Sequence, residues 1–180
     1  MGDSQFTDKC ETFIKLLQQW GKVHNLSGSL DRDSIMANIE DSIYPLEFID
    51  DFDSFLDVGT GAGYPGMILA MARPNAKGYL VEPRAKRVAF LHFVKSTLGL
   101  SNLHILQSRV EDVKLDEKID LITSRAVTNT KLLLDLTKHL SGVNTKYLFY
   151  KGTLVNDEVD GLDLANKEIV QRGDRNYLYF

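Results

Sequence analysis

The segment Asp57-Val58-Gly59-Thr60-Gly61-Ala62-Gly63-Tyr64-Pro65-Gly66 holds four of the chain's 13 glycines within ten residues. Glycines at such spacing let the backbone turn sharply and approach a ligand closely. Gly61, Gly63 and Gly66 satisfy Gly-x-Gly-x-x-Gly, and Glu82 follows at the end of the next apolar run. A carboxylate there accepts hydrogen bonds from ribose hydroxyls, so a dinucleotide enzyme is one reading. The acids argue for another. Asp57 stands two residues before Gly59, and a carboxylate in that place repels a pyrophosphate. It suits a ligand that carries an ammonium and a sulfonium. A second acidic step, Val110-Glu111-Asp112, offers acceptors to the exocyclic amine of an adenine. The set points to S-adenosylmethionine, with Asp57, Gly59, Gly61, Gly63, Glu82, Val110 and Glu111 around it. The plainer alternative is a tight strand-to-helix turn with solvated acids.

Two cations stand where later strands end, Arg125 in Ser124-Arg125-Ala126 and Lys151 before Gly152. Each is a candidate to hold a phosphate or a base edge at the reacting centre; the competing reading is a cation lying along a sheet edge. The prolines are Pro45, Pro65, Pro74 and Pro83, so the Asn-Pro-Pro or Asp-Pro-Pro step of adenine-amine methylation is missing after the fourth strand. The lone cysteine, Cys10, lies outside the sheet region. That rules out covalent attack on a pyrimidine ring, an internal disulfide and a Cys-rich zinc site. His24, His92, His104 and His139 lack ligand spacing, and no metal is expected. The formal net charge is −4, yet residues 73–95 carry six basic residues against one acid. Arg84, Lys86 and Arg87 from that window are candidate contacts to a polyanion, weighed against a solvated helix face.

Such groups need elements to position them. Phe6, Cys10, Phe13, Leu17 and Trp20 recur at helical spacing, and Asn25 and Gly28 end the pattern. A second helix is predicted over residues 33–42, with Ile35, Met36, Ile39 and Ile43 as its apolar side and Tyr44-Pro45 as its break. Up to residue 60 there are twelve acids and four basic residues, which suits a helical cap better than a polyanion clamp. From residue 54 the rhythm becomes strand and helix in alternation. Strands are predicted over Ser54–Val58, Lys77–Val81 and residues 103–107, 119–123 and 147–150. Helices are predicted over residues 64–72, Ala85–Leu98 closed by Gly99, and residues 130–140 closed by Gly142. Residues 167–171 and 176–180 read as an antiparallel hairpin finishing the sheet. The fold class is therefore α/β, a mostly parallel sheet with helices on both faces. Its 180 residues, 43% hydrophobic and 26% charged, make one domain of residues 1–180, with a cap over residues 1–52 and a cofactor-binding core over residues 53–180. The acidic N-terminus and the short apolar run at residues 67–72 predict a cytoplasmic protein without signal or membrane span; a monomer is expected.

These motifs together resemble a known family. From about residue 13 to residue 152 the chain is similar to the bacterial small-subunit ribosomal RNA guanine-N7 methyltransferases, also called glucose-inhibited division protein B. The resemblance rests on Trp20, Asn25-Leu26-Ser27 and Asp41-Ser42, and on the loop from Leu56 to Gly66 with its Pro-Gly ending. Lys86-Arg87-Val88, Phe90-Leu91, Arg109-Val110-Glu111, Ser124-Arg125-Ala126 and Lys151-Gly152 complete it in order. The chain departs from the family pattern at Ala37-Asn38, where the family has Arg-His, and at Glu82-Pro83, where it has Asp-Ser. The resemblance implies a class I, Rossmann-like methyltransferase fold using S-adenosylmethionine. It implies methylation of nitrogen 7 of one guanosine in 16S ribosomal RNA, with that RNA or the small ribosomal subunit as partner. It also implies that Gly59, Tyr64, Val110, Glu111 and Arg125 contact the cofactor or its surroundings. A small-molecule methyltransferase and a non-catalytic nucleotide-binding module are the alternatives.

Overall fold

Five apolar segments, each ending near a glycine, an acid or a base, form the parallel part of one sheet: β1 (Ser54–Val58), β2 (Lys77–Val81), β3 (Leu103–Leu106), β4 (Leu121–Arg125) and β5 (Lys146–Lys151). The structure, a computed structural model, describes residues 4–24 and 29–180. The helix end expected at Asn25 and Gly28, and the Asn25-Leu26-Ser27 motif, lie outside the described residues. The hairpin β6 (Glu168–Arg172) and β7 (Arg175–Tyr179) completes the sheet as expected, β7 running antiparallel to β5 and β6 lying outermost. The seven strands stand in the order β3-β2-β1-β4-β5-β7-β6. The order reverses between β1 and β4, and ligand crevices of open α/β sheets form beyond the carboxyl ends of the strands at such a point. Val58 pairs with Val81 on one side and with Ser124 on the other, so the three central strands end level there.

Strand alternation divides the core. Phe55, Leu80, Leu103 and Leu148 face a cluster that includes α1 (Ser4–His24), α2 (Arg32–Ile43), α3 (Gly66–Ala72) and α4 (Ala85–Leu98). Leu56, Val58, Val81 and Phe149 face a second cluster with α5 (Thr130–Thr137) and α6 (Val155–Val159). At about 25 cal/mol for each Å² of apolar surface removed from water, this double burial is the main stabilising term. The α1 stripe behaves as its spacing demands: Cys10, Phe13 and Leu17 are buried, and Trp20 stacks 5.6 Å from Phe93 of α4. Asp31 caps α2, its side chain accepting from Ser34 N at 2.9 Å, which satisfies one orphan N–H of the first turn.

Several predicted boundaries move. Tyr44-Pro45 does not stop the chain's winding; it tightens α2 into a 3-10 turn, Tyr44–Glu47, whose first positions tolerate proline. Strand β4 starts at Leu121 rather than residue 119, because Ile119 N bonds Leu140 O and anchors the loop before β5. This places Arg125 inside the ladder, paired with Tyr150. α5 ends at Thr137, three residues early, with Leu140 N turning back to Thr137 O. α6 has no counterpart among the predicted helices: a single turn with Val155 and Val159 buried is too short for a periodic signal.

Candidate active site at the carboxyl ends of β1, β2 and β4

The glycine loop leaves β1 and is pinned to β2, Gly59 N and Thr60 N both donating to Val81 O at 2.9 and 3.2 Å. Gly59, Gly61 and Gly63 have φ of +66°, +62° and +105°, a region that β-carbons disfavour. Gly66 is needed for another reason. A β-carbon there would lie 2.2 Å from Leu80 Cδ2 and 2.7 Å from Asp57 Cβ, so only glycine lets α3 start this close to β1 and β2.

Asp57, a candidate cofactor contact in the sequence, holds the loop from beneath. It is fully buried beneath the loop, and both oxygens serve the fold. Oδ2 accepts from Gly66 N and Oδ1 from Thr123 Oγ1, both at 3.0 Å. Burial pushes its carboxyl up to about 6, against the opposing pull of hydrogen bonds from Gly66 and Thr123 and of the Arg125 charge. Asp57 therefore braces the start of α3 and shapes the loop.

Glu82 stands at the end of β2. Its Oε2 accepts from Gly61 N at 3.1 Å and its Oε1 from Arg84 N at 2.9 Å. Arg87 Nη1 lies 3.5 Å from Oε2. The basic triplet thus splits. Arg84 and Lys86 are exposed as expected, while half-buried Arg87 turns inward to the glycine loop and Glu82, away from the surface where its sequence reading put it. Beyond β3, Val110 is buried at the head of a 3-10 turn, Val110–Asp112, and Glu111 beside it is exposed, 3.7 Å from Arg109.

The expected cations of β4 and β5 do not present open charge. Arg125 Nη1 donates to Asn38 Oδ1 at 2.9 Å and to Asp41 Oδ2 at 3.3 Å, both from α2. Its guanidinium lies 4.7 Å from the centre of the Tyr64 ring. Lys151 Nζ donates to Glu158 Oε1 at 2.6 Å and to Thr128 O at 3.2 Å. Each cation, largely enclosed at a strand end, is offset by a carboxylate partner for the water it loses. Asn38, Asp41 and Glu158 are the site residues that sequence reasoning missed. The apolar stripe gave no signal for Asp41: two residues past Ile39 it stands across α2 from that position, and its burial, which demands a partner, comes from the packing of the helix.

Tyr64 closes the site toward the cap. Phe13 meets its ring edge-on at 5.5 Å, and burial pushes its hydroxyl pKa up. The hydroxyl is buried with no hydrogen-bond partner among the described residues. The donor and acceptor set fits S-adenosylmethionine: a strand-end carboxylate suited to ribose, a glycine loop, an exposed acid beyond β3 and a buried donor lacking an acceptor.

The family described as rRNA small subunit methyltransferase G matches residues 7–172. The chain belongs to that family. It is 59% identical to the ribosomal RNA small subunit methyltransferase G of Aliarcobacter butzleri, over 98% of this chain and 91% of that one. It is 47% identical to the protein of the same name in Wolinella succinogenes, over 87% of this chain and 81% of that one. Among solved structures it is similar to a methyltransferase from Geobacter sulfurreducens, with a TM-score of 0.68, 14% identity and coverage of 93% and 87% of the two chains. It is similar also to an S-adenosylmethionine-dependent methyltransferase from Aquifex aeolicus, with a TM-score of 0.67, 19% identity and coverage of 83% and 93%. The structural likenesses establish the class I, Rossmann-like fold. As a member of the rRNA small subunit methyltransferase G family, the chain is a methyltransferase with S-adenosylmethionine as its cofactor. Among the described residues, no helix is long and apolar enough to cross a membrane.

Proposed function

We propose that the protein transfers a methyl group to nitrogen 7 of one guanosine in 16S ribosomal RNA. In this reading it acts as a cytoplasmic monomer on that RNA or on the small ribosomal subunit. It works as a single domain, with residues 1–52 as cap and residues 53–180 as cofactor core. The observation that carries the reading is the state of the strand ends over the crevice. Arg125 and Lys151 stand there, and Asp41 and Glu158, the carboxylates nearest them, are each committed to a cation. No uncommitted base is needed for this acceptor, because nitrogen 7 of guanine has a free lone pair at neutral pH. The site's task is alignment rather than proton removal.

S-Adenosylmethionine, when bound, supplies an electrophilic methyl group on a sulfonium. The loop glycines Gly59, Gly61 and Gly63 admit it; Glu82 accepts from its ribose hydroxyls; Val110 and Glu111 border its adenine; Tyr64 offers its hydroxyl. Arg87 holds Glu82 in place. Arg125 orients the nucleotide through a phosphate or carbonyl oxygen while Asn38 and Asp41 fix the guanidinium, and Lys151 supports the same wall. Arg84 and Lys86 meet phosphates of the RNA. The names of the relatives, each a ribosomal RNA methyltransferase, support an RNA acceptor over a small molecule.

Mass mapping of 16S ribosomal RNA from a deletion strain tests the reading: one guanosine should lack its methyl group, and the purified protein should restore it. The single-turnover rate should stay nearly flat across neutral pH, and Arg125→Ala should slow it strongly. A rate rising tenfold per pH unit would reveal an obligatory deprotonation and sink the nitrogen-7 assignment.

A further inference from the structure

The guanidinium of Arg125 is approached from the cap side by Asn38 and Asp41, and those two residues also line a cleft of about 400 Å³. This lies within the size range of ligand sites, about 300–1,000 Å³. One wall is α2, with Asn38, Glu40 and Asp41. The other is the β6–β7 hairpin, with Arg172, Arg175 and Tyr177. The cleft is on the carboxyl-end side of the sheet, because β7 begins beside the end of β5, Asn176 pairing with Lys151.

The two arginines are held but not saturated. Arg175 reaches Asp41 only through Nε, at 3.8 Å, and its side chain is 54% exposed. Arg172 lies 3.9 Å from Glu40, its guanidinium packs 4.7 Å from the centre of the Tyr44 ring, and its side chain is 47% exposed. Both ion pairs sit at the outer limit of contact and in reach of water, where such pairs are worth little. The guanidinium forks therefore stay available at low cost. By contrast, Asp41 is buried and well served, Oδ1 accepting from Tyr177 Oη at 2.8 Å and Oδ2 from Arg125 at 3.3 Å. A rigid buried carboxylate thus ties Arg125 of the active site to the floor of the cleft, and two loosely held guanidiniums rim it. Planar five-donor forks match phosphate oxygens two at a time.

We infer that this cleft is a second RNA subsite. Arg172 and Arg175 bind backbone phosphates of the strand whose base is presented to Arg125, on the side of the site opposite Arg84 and Lys86. The inference rests on the proposed RNA methyltransferase reading. It adds a hairpin contact that the basic window at residues 73–95 does not supply.

The test is filter binding of 16S ribosomal RNA over a salt series by wild type, Arg172→Ala/Arg175→Ala and Arg172→Lys/Arg175→Lys. The alanine pair should bind RNA about tenfold or more weakly. Its salt slope should fall by roughly 0.7 for each phosphate it no longer neutralises. The lysine pair should recover much of the slope, and calorimetric affinity for S-adenosylmethionine should stay within twofold of wild type. Wild-type affinity and slope in the alanine pair would overturn the inference. A readout on unmodified protein guards against misfolding: bound RNA should protect Arg172 and Arg175 from an arginine-selective dicarbonyl reagent. Failure to protect overturns the subsite, as does protection by free guanosine monophosphate but not by RNA. Absence of a guanine methyl group in RNA treated with wild type would defeat the proposed reaction, while these binding measurements would still decide the subsite.

Discussion

Tyr64→Phe removes one oxygen and leaves the ring's packing alone. The hydroxyl is buried without a partner among the described residues, while the ring meets Phe13 at 5.5 Å and the Arg125 guanidinium at 4.7 Å. Phenylalanine keeps both contacts. A buried unsatisfied polar group costs about 1–3 kcal/mol, so the cofactor-free variant should be the more stable by ~1–2 kcal/mol. For a domain of this size that is a rise of roughly 2–8 °C in melting temperature. The bound state should respond with the opposite sign. If the hydroxyl donates to S-adenosylmethionine, its removal deletes one hydrogen bond, about 0.5–1.5 kcal/mol, and weakens binding up to about tenfold. Melting curves without ligand and calorimetry with it separate the two effects. A variant that melts several degrees lower without cofactor and binds the cofactor as wild type does would refute the reasoning, since the hydroxyl would then be satisfied by the fold itself.

Glu82→Ala should weaken S-adenosylmethionine binding by roughly 1.5–3 kcal/mol, the value of charge-assisted hydrogen bonds, and should also loosen the loop, because Gly61 N and Arg84 N lose their acceptor. Calorimetry with NAD as the comparison ligand checks both the weakening and the specificity; tighter binding of NAD by wild type would contradict the assignment. Charge reversal at Arg84 and Lys86, which are exposed, should lower RNA affinity and flatten its salt dependence with cofactor affinity nearly unchanged. Asp57 is raised from 3.8 to about 6 by burial, so the folded state binds its proton more tightly than the unfolded chain. Its contribution to stability is therefore present below about pH 4 and lost as pH rises through about 6. Denaturant melts of wild type and Asp57→Asn should show their stability difference moving in favour of wild type by up to about 3 kcal/mol between about pH 7 and pH 4. A difference independent of pH would show that Asp57 does not titrate in that interval.

The sequence by itself determined the elements whose cause is local. Ser54–Val58, Lys77–Val81 and Ala85–Leu98 fall where apolar runs and Gly99 put them, because strand alternation, helix period and a left-handed glycine stop are properties of neighbouring residues. It also determined the glycine loop and its cofactor class, since positive φ and the strand-end acid Glu82 are written in residue types. What only the tertiary structure decided is where each charge points. Asp57 and Glu82 look alike along the chain and both are buried, yet one braces Gly66 and Thr123 beneath the loop while the other takes the amides of Gly61 and Arg84 at the end of β2. Arg87 leaves its basic neighbours for Glu82. Arg125 finds Asn38 and Asp41 more than eighty residues away, and Lys151 finds Glu158 on a turn too short to announce itself. An enclosed cation must find an anion in space, and no spacing along the chain records which one the packing of α2 and α6 brings to it.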